Sequence, residues 1–138
     1  IGASWMTRAD RDAEIADQIS WLDRVRESVA PPPRARVRVL GFSQGAATVV
    51  RWLAGGATRC DDLILWAGDV PGELAAVHDR LPGATVHLVR GDRDPLIPAA
   101  HFESAASRVR ALWPAAQVHA FPGDHRLDRD VLDTLAAA

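Results

Sequence analysis

Apolar runs and amphipathic stretches alternate along this chain of 138 residues. Short runs rich in Val, Ile and Leu predict four strands, at residues 36–41, 62–67, 84–90 and 117–121. Apolar residues that recur at steps of three and four predict helices at residues 8–30, 44–54, 73–80 and 98–113, and from residue 127 to the end. Because strand and helix alternate four times, the pattern predicts an α/β fold: a three-layer parallel sheet with helices on both faces.

The first predicted helix has a recognisable start, end and apolar side. Thr7 and Asp10 form the T-x-x-D pattern of a capping box, and three consecutive prolines at residues 31–33 end the helix. The apolar stripe between them consists of Ile15, Ile19, Leu22, Val25 and Val29. Four tryptophans of the chain also fall on periodic apolar positions, and we expect all of them in the hydrophobic core: Trp21, Trp52, Trp66 and Trp113.

Composition and charge exclude several classes of function. The chain is 48% hydrophobic and has a formal net charge of -2, which is typical of soluble globular proteins. All sixteen basic residues are arginine, but they are scattered and matched by eighteen acidic residues, so we expect no nucleic-acid partner. The longest apolar runs are far too short to cross a bilayer, so we expect no transmembrane segment.

The cysteines, histidines and acidic residues indicate whether a disulfide or a metal site is expected. Cys60 is the only cysteine, so no internal disulfide can form, and we expect a cytoplasmic protein in a reducing compartment. Histidine, cysteine and acidic residues show no spacing that is typical of metal ligands, so we expect no metal. The sequence also carries no dinucleotide-binding fingerprint, and we expect no cofactor.

The segment at residues 36–45, which reads RVRVLGFSQG, carries the strongest chemical signal. Gly41, Ser43 and Gly45 form a G-x-S-x-G motif where a predicted strand ends and a predicted helix begins. In such a turn the serine is held at a strained φ and ψ, with its hydroxyl above the strand ends. We expect both glycines to be required, because a Cβ at either position would collide with the neighbouring strand or helix.

Three predicted strand ends carry a chemically useful side chain: Ser43, Asp94 and His125. In a parallel sheet with helices on both faces, the active site lies at the carboxyl ends of the strands. A serine hydroxyl becomes a good nucleophile when an imidazole takes its proton, and a buried carboxylate fixes the tautomer of that imidazole. The backbone N–H of Gln44, which follows Ser43 at a helix N-terminus, is the expected donor to an oxyanion.

Other titratable residues leave alternatives open. Asp92 lies two positions before Asp94 and competes with it for the role of the acid, although an aspartate in a turn is commonly solvated. Asp69 also follows a predicted strand and is a further candidate for the acid. His87 and His119 lie within predicted strands, where we expect them to be hydrogen-bonded core residues and not catalytic groups.

Three motifs together resemble the carboxylesterase/phospholipase branch of the α/β-hydrolases, the group that includes acyl-protein thioesterases. The motifs are GFSQGA at residues 41–46, GDRDPLIP at 91–98 and FPGDHRLDRDVLDTL at 121–135. A weaker match is GDVP at residues 68–71, which is similar to the segment after the sixth strand of that family. The combination of three motifs in the right order is specific, whereas any one of them alone is not.

The resemblance implies a function and a role for each residue. Ser43 is then the nucleophile, Asp94 the acid and His125 the base of a serine hydrolase that cleaves small-molecule carboxylic esters or thioesters through an acyl-enzyme. Leu96 and Ile97 are candidates to line the substrate site. Trp5, near the start of the chain, is a further candidate for that lining. The alternative is a non-catalytic, hydrolase-like scaffold or interaction protein with an incomplete site; the presence of all three catalytic residue types favours the enzyme.

The start of the chain departs from the family pattern. Family members carry several strands before the G-x-S-x-G turn, and one of these leads into a glycine-rich loop that supplies the second oxyanion donor. Only 42 residues precede Ser43 here, and none of them shows that loop. We therefore expect residues 1–138 to form a single α/β-hydrolase domain, the C-terminal two-thirds of the fold. The strand edge exposed in this way would be able to pair with another chain, and a homodimer is one expected outcome.

Overall fold

The computed structural model describes residues 9–138 and contains a sheet of four parallel strands. The strands are β1 (Arg38–Phe42), β2 (Asp62–Trp66), β3 (Thr85–Gly91) and β4 (Gln117–Phe121). They lie side by side in chain order, β1-β2-β3-β4, with Gly41 opposite Leu65 and Val89 opposite His119. Because every connection runs between neighbouring parallel strands, all four strands end at the same edge of the sheet.

A helix precedes the first strand, and another follows each strand. Within residues 9–138 the helices are α1 (Arg11–Val29), α2 (Gln44–Gly55), α3 (Leu74–Arg80), α4 (Ala99–Leu112) and α5 (Arg129–Ala137). The predicted alternation of strands and helices is therefore confirmed, with boundaries within about three residues of the expected ones. β1 begins later than predicted, so that Arg36 lies in the segment before the strand.

The two faces of the sheet carry separate hydrophobic clusters. On one face, residues of β1, β2 and β3 pack against α2, α3 and α4. The strand residues are Val39, Leu63, Leu65, Val86 and Leu88, and the helix residues include Val50, Leu53, Val77, Phe102 and Val109. On the other face, strand residues pack with α5: Ile64, Trp66, Val89 and Phe121 with Leu135. Successive strand residues alternate between these clusters because side chains of a strand point to opposite faces. The predicted layers of helix, sheet and helix are confirmed.

The first helix is less buried than its sequence pattern predicts. α1 packs on α2 through Ile19 and Leu22, but none of its residues is fully buried. Trp21 is 51% exposed and Val29 is 68% exposed, so the prediction that Trp21 lies in the core is wrong. Trp21 is exposed because, among the described residues, α1 contacts chiefly α2, so only one side of α1 is covered. Trp52, Trp66 and Trp113 are buried as predicted.

The capping box predicted for α1 is not formed by Asp10. Asp10 precedes the first residue of α1, but its side chain makes no capping hydrogen bond. Thr7, the other half of the predicted box, lies outside the described residues. The carboxylate of Asp23 anchors α1 instead, because it accepts hydrogen bonds from the Trp52 indole at 2.8 Å and from the backbone of Ala57 at 2.8 Å.

A polar cluster joins α5 to the amino ends of the strands. Arg36 and Arg38 both donate to the carboxylate of Asp62, at 2.6 Å and 3.1 Å. Arg38 also donates to the carbonyl of Ala136 in the last turn of α5, at 2.7 Å. The hydrogen bond from Arg36 is the main cause that holds the pKa of Asp62 below its usual value, although burial opposes it.

β1 is an edge strand of the sheet within residues 9–138, as expected. A groove of about 540 Å³ runs beside it, between the strand and helices α1 and α2. Val39, Gly45 and Val49 are among its lining residues. None of the helices in the described part of the chain combines the length and apolar character that crossing a membrane requires.

Candidate active site

Ser43 occupies the sharp turn between β1 and α2. It adopts φ 56° and ψ -124°, a left-handed conformation that is rare for a residue with a side chain. The predicted strain at this serine is therefore present. Its backbone N–H donates to the carbonyl of Trp66 at 2.8 Å, which fastens the turn to the end of the neighbouring strand β2.

Close backbone approach explains two glycines around this turn. A Cβ on Gly41 would overlap the carbonyl of Gly45, as predicted for Gly41. A Cβ on Gly45 would meet no described atom, so the predicted collision there is wrong; Gly45 faces the groove beside β1. Gly68, which the sequence analysis did not single out, is the second required glycine, because its Cβ would overlap the carbonyl of Ser43.

Ser43, His125 and Asp94 form one hydrogen-bonded chain. Nε2 of His125 lies 3.0 Å from Oγ of Ser43, and Nδ1 of His125 lies 2.8 Å from Oδ2 of Asp94. Three loops at the carboxyl edge of the sheet supply these residues, after β1, β3 and β4. The residues that the sequence placed at three separate strand ends therefore meet in space.

The carboxylate of Asp94 is fully buried and held on both oxygens. Oδ2 faces His125, while Oδ1 accepts from the backbone N–H groups of Leu96 at 2.8 Å and Ile97 at 3.1 Å. Burial alone would raise the pKa of Asp94, but these three hydrogen bonds outweigh it and lower the pKa below the usual 3.8. Asp94 is therefore ionised at neutral pH and keeps the proton of His125 on Nδ1.

The loop that carries His125 is fixed by several neighbours. Trp66 donates its indole N–H to the carbonyl of Arg126 at 2.9 Å, and Asp92 accepts from the N–H of Gly123 at 2.9 Å. The ring of Phe42 packs on the imidazole, with 4.9 Å between ring centroids. The sequence analysis assigned Trp66 to the core alone; its role as a donor depends on a residue 60 positions away, for which the sequence gives no signal.

The competing carboxylates have other partners. Asp92 is about half exposed, in agreement with a solvated turn residue, and it also braces the loop of Gly123. Asp69 accepts from the N–H of Val70 at 2.9 Å and lies 3.3 Å from Nε2 of His101. These hydrogen bonds of Asp92 and Asp69 do not go to His125, whereas that of Asp94 does, so the geometry favours Asp94 as the acid.

His87 and His119 form a separate pair on neighbouring strands. Nδ1 of His87 lies 3.2 Å from Nε2 of His119, and His87 is buried. Both are hydrogen-bonded, as predicted, but only His87 is a core residue; His119 is partly exposed on the edge strand β4. Burial, and then the charge of His119, lowers the pKa of His87, and burial lowers the pKa of His119. Neither ring belongs to the chain of hydrogen bonds around Ser43.

A cavity of about 370 Å³ opens beside Ser43 and His125. Its lining comes from α2, from the loop after β2 and from the loop after β3: Ser43, Gln44, Ala47, Thr48, Arg51, Ala67, Gly68, Asp69, Leu96, Ile97 and His125. The expected substrate-binding residues Leu96 and Ile97 are thus part of the lining. Trp5 lies outside the described residues. A larger groove of about 650 Å³ lies at the opposite, amino ends of the strands and shares none of these residues.

Gln44 is the first residue of α2, directly after Ser43. The N–H groups in the first turn of a helix have no partner within that helix, and they carry the positive end of its dipole. The backbone N–H of Gln44 is therefore suited to bind an anionic oxygen formed at Ser43.

The described residues also include potential metal ligands and one cysteine, which were compared with the site at Ser43. Within residues 9–138, no group of three histidine, cysteine or acidic side chains could hold a metal ion. Cys60 is buried at the amino end of β2, the end of the strand opposite to the cavity, and it is not among the cavity-lining residues. Burial, together with Asp61 and Asp62, raises the pKa of its thiol to about 12, so Cys60 is not an activated nucleophile.

Comparison with known proteins agrees with this architecture. A sequence model described as phospholipase/carboxylesterase matches residues 8–137. Esterase PE8 has a TM-score of 0.69 and 22% identity, over 99% of this chain and 68% of its own. The acyl-protein thioesterase 2 of Zea mays has a TM-score of 0.67 and 16% identity, over 97% of this chain and 70% of its own.

A phospholipase/carboxylesterase from Dyadobacter fermentans also has a TM-score of 0.67 and 16% identity, over 99% of this chain and 69% of its own. At these identities the three structures show that the fold is shared. The chain spans a little over two-thirds of the length of each. No curated protein has a significant sequence match to the chain.

Proposed function

The chain belongs to the phospholipase/carboxylesterase family, and from that premise we propose that it is a serine hydrolase of carboxylic esters or thioesters. The observation that carries the proposal is the hydrogen-bonded chain from Ser43 through His125 to Asp94, with 3.0 Å and 2.8 Å between partners. The cavity beside Ser43 supplies room for a small-molecule substrate.

The proposed reaction begins at Ser43. Nε2 of His125 takes the hydroxyl proton while Oγ of Ser43 attacks the carbonyl carbon of the ester or thioester. The tetrahedral intermediate places a negative charge on the former carbonyl oxygen, and the N–H of Gln44 donates to it. Asp94 stabilises the imidazolium and holds it in the orientation that faces both Ser43 and the leaving group.

The second half of the proposed reaction returns the enzyme to its starting state. His125 gives its proton to the departing alcohol or thiol, and the acyl group remains on Oγ of Ser43. A water molecule then loses a proton to His125 and attacks the acyl carbon. The carboxylic acid leaves, and the proton on His125 passes back to Ser43.

Hydrolysis of a matched ester and thioester tests this proposal. The parent protein should hydrolyse p-nitrophenyl butyrate or a butyryl thioester, and Ser43→Ala should lower kcat by at least about 10³-fold. Ser107→Ala is the matched control, because Ser107 is an exposed serine whose hydroxyl bonds within α4. A folded parent protein that hydrolyses neither compound would contradict the proposal and favour a non-catalytic scaffold.

A further inference from the structure

The segment at residues 92–98, which connects β3 to α4, places a buried carboxylate in exposed surroundings. Asp94 is the buried residue of this segment, and Leu96 is 65% exposed. Ile97 is partly buried, and the other residues of the segment are exposed. Because apolar packing covers so little of the segment, its position depends on the hydrogen bonds that it makes.

The hydrogen bonds around Asp94 are of two kinds. Oδ1 of Asp94 accepts from the N–H groups of Leu96 and Ile97, so these bonds fix the carboxylate only relative to its own segment. The beginning of the segment is tied to the loop of His125, since the N–H of Arg93 donates to the carbonyl of Gly123 at 2.9 Å. The part of the segment at Ile97, whose N–H holds the carboxylate, has a separate anchor.

Arg90 is that anchor. It is the residue before the last of β3, and its side chain is partly buried. Nε of Arg90 donates to the carbonyl of Ile97 at 2.7 Å, and Nη2 lies 3.5 Å from the carbonyl of Asp92. The N–H donors of a guanidinium lie in one rigid plane, so a single arginine can hold two carbonyl groups at a fixed separation.

Two properties make Arg90 an effective anchor. A hydrogen bond from an ionised donor is stronger than one between neutral groups, and partial burial of the bond adds to its strength. The strand that carries Arg90 is also firmly placed, because β3 pairs with β2 on one side and with β4 on the other. The bond from Arg90 to Ile97 therefore connects the segment of Asp94 to an inner strand of the sheet.

We propose that Arg90 is a positioning residue for the acid of the site. By holding the carbonyl of Ile97, it keeps the N–H groups of Leu96 and Ile97 against Oδ1 of Asp94, so that Oδ2 faces His125. Arg90 acts through Asp94 and is not itself a catalytic residue. The inference rests on the proposed serine hydrolase function, in which Asp94 orients His125.

Replacement of Arg90 by methionine tests this role. Arg90→Met keeps an unbranched apolar side chain and removes the N–H donors. With p-nitrophenyl butyrate as substrate, kcat should fall about ten- to hundredfold, because a small displacement of the acid misplaces the imidazole. Thermal unfolding checks that the variant is folded. Arg90→Lys keeps the charge but has no Nε donor; it is the second variant should Arg90→Met not fold, and it should show a smaller loss of the same kind.

Arg80→Met is the matched control. Arg80 also donates from its side chain to backbone carbonyls, those of Leu53 at 2.6 Å and Ala54 at 3.0 Å. It lines the groove at the amino ends of the strands and not the cavity beside Ser43. Arg80→Met should therefore keep kcat within about threefold of the parent, since distant sites act independently. Equal losses of kcat in Arg80→Met and Arg90→Met would overturn the role of Arg90.

A double-mutant cycle shows whether Arg90 acts through Asp94. In the Asp94→Asn background the acid is already lost, so the further change Arg90→Met should lower kcat by less than about threefold. If Arg90→Met lowers kcat by the same factor in the parent and in Asp94→Asn, the effect does not pass through Asp94. That result would overturn the inference.

Proton NMR separates this inference from the proposed function, because it requires no turnover. The proton on Nδ1 of His125 should resonate at low field in the parent and in Arg80→Met, since Asp94 accepts it in a charge-assisted hydrogen bond. Arg90→Met should shift or remove this resonance. An unchanged resonance in Arg90→Met, or a parent without the resonance, would overturn the role of Arg90. Loss of the resonance in Arg90→Met, together with a parent that hydrolyses no ester, would support Arg90 and overturn the proposed function.

Discussion

The indole N–H of Trp66 donates a 2.9 Å hydrogen bond to the carbonyl of Arg126, the residue that follows His125. Trp66 is fully buried at the end of β2, and its ring packs on Phe121 at the end of β4. A buried residue of the sheet therefore holds the loop that presents the imidazole to Ser43. Positioning of this kind matters because small displacements of a catalytic group lower the rate strongly.

Replacement of Trp66 by phenylalanine should show this positioning role. Trp66→Phe removes the N–H but keeps an aromatic ring, so the loop of His125 loses one of its anchors. We expect kcat to fall about tenfold or more, and the free energy of unfolding to fall by about 1–3 kcal/mol. Ester hydrolysis and thermal unfolding measure the two effects.

Trp113→Phe is the matched control for this change. Trp113 is also buried and donates its indole N–H to a carbonyl, that of Leu81 at 3.2 Å, but it lies outside the cavity lining. Its replacement should lower stability by a similar amount and leave kcat close to that of the parent. Equal losses of kcat in both variants would show that Trp66 acts through general stability and not through His125.

Gly68→Ala tests the close contact between the loop after β2 and the turn of Ser43. The new methyl group would overlap the carbonyl of Ser43, so the turn must shift. We expect a loss of about 1–3 kcal/mol in the free energy of unfolding and a loss of activity that exceeds tenfold. Gly72→Ala is the control, because a Cβ there meets no described atom. Full activity in Gly68→Ala would contradict this account of the turn.

The sequence predicted those features that depend on a short run of neighbouring residues. The apolar run at residues 62–67 predicted strand β2, and the G-x-S-x-G pattern predicted the strained turn at Ser43. Features that depend on distant neighbours were missed or wrong. Trp21 has the periodicity of a core residue, but its exposure depends on where α1 packs. Gly68 and the indole N–H of Trp66 are required only because other segments approach them.

The residues of the candidate site also differ in how far the sequence alone could predict them. Ser43, Asp94 and His125 could be chosen from the sequence because strand ends of a parallel sheet converge, and the structure brings them within hydrogen-bonding distance. Their catalytic roles stay predictions until activity is measured.

Substitution of the two aspartates in the loop after β3 tests the choice of acid. Asp94→Asn should lower kcat by about 10³–10⁴-fold, because an amide would favour the wrong tautomer of His125. Asp92→Asn keeps an oxygen that can accept from Gly123, and its kcat should stay within about tenfold of the parent. The reverse order of effects would mean that Asp92 supplies the acid.

The pair of His87 and His119 predicts how stability depends on pH. Both groups have a pKa below 6.5 in the folded protein, so below pH 6.5 the unfolded chain binds protons that the folded protein does not. The contribution of this pair to stability should therefore be complete above pH 6.5 and be lost as the pH falls towards the lowered pKa values. Each such proton contributes a slope of at most about 1.4 kcal/mol per pH unit.

The charged groups around this pair belong to the polar cluster beneath α5. Arg36 and Arg38 oppose a positive charge on His87, whereas Asp62 favours it. Urea unfolding between about pH 5 and pH 7.5 should give a flatter stability profile for the double variant His87→Gln with His119→Gln. His101→Gln, which changes an exposed histidine, should keep the slope of the parent. An unchanged slope in the double variant would exclude the pair as its cause.

Covalent labelling of Ser43 tests the central claim most directly. A fluorophosphonate reacts with a serine whose proton is taken by an adjacent imidazole, and it forms a stable bond to Oγ. Peptide mass spectrometry of the labelled parent should place one phosphonyl group on Ser43. Ser43→Ala should take up no label, and Asp94→Asn should react much more slowly than Asp92→Asn. Equal labelling of the parent and Ser43→Ala, or no labelling of the folded parent, would contradict the assignment of Ser43 as an activated nucleophile.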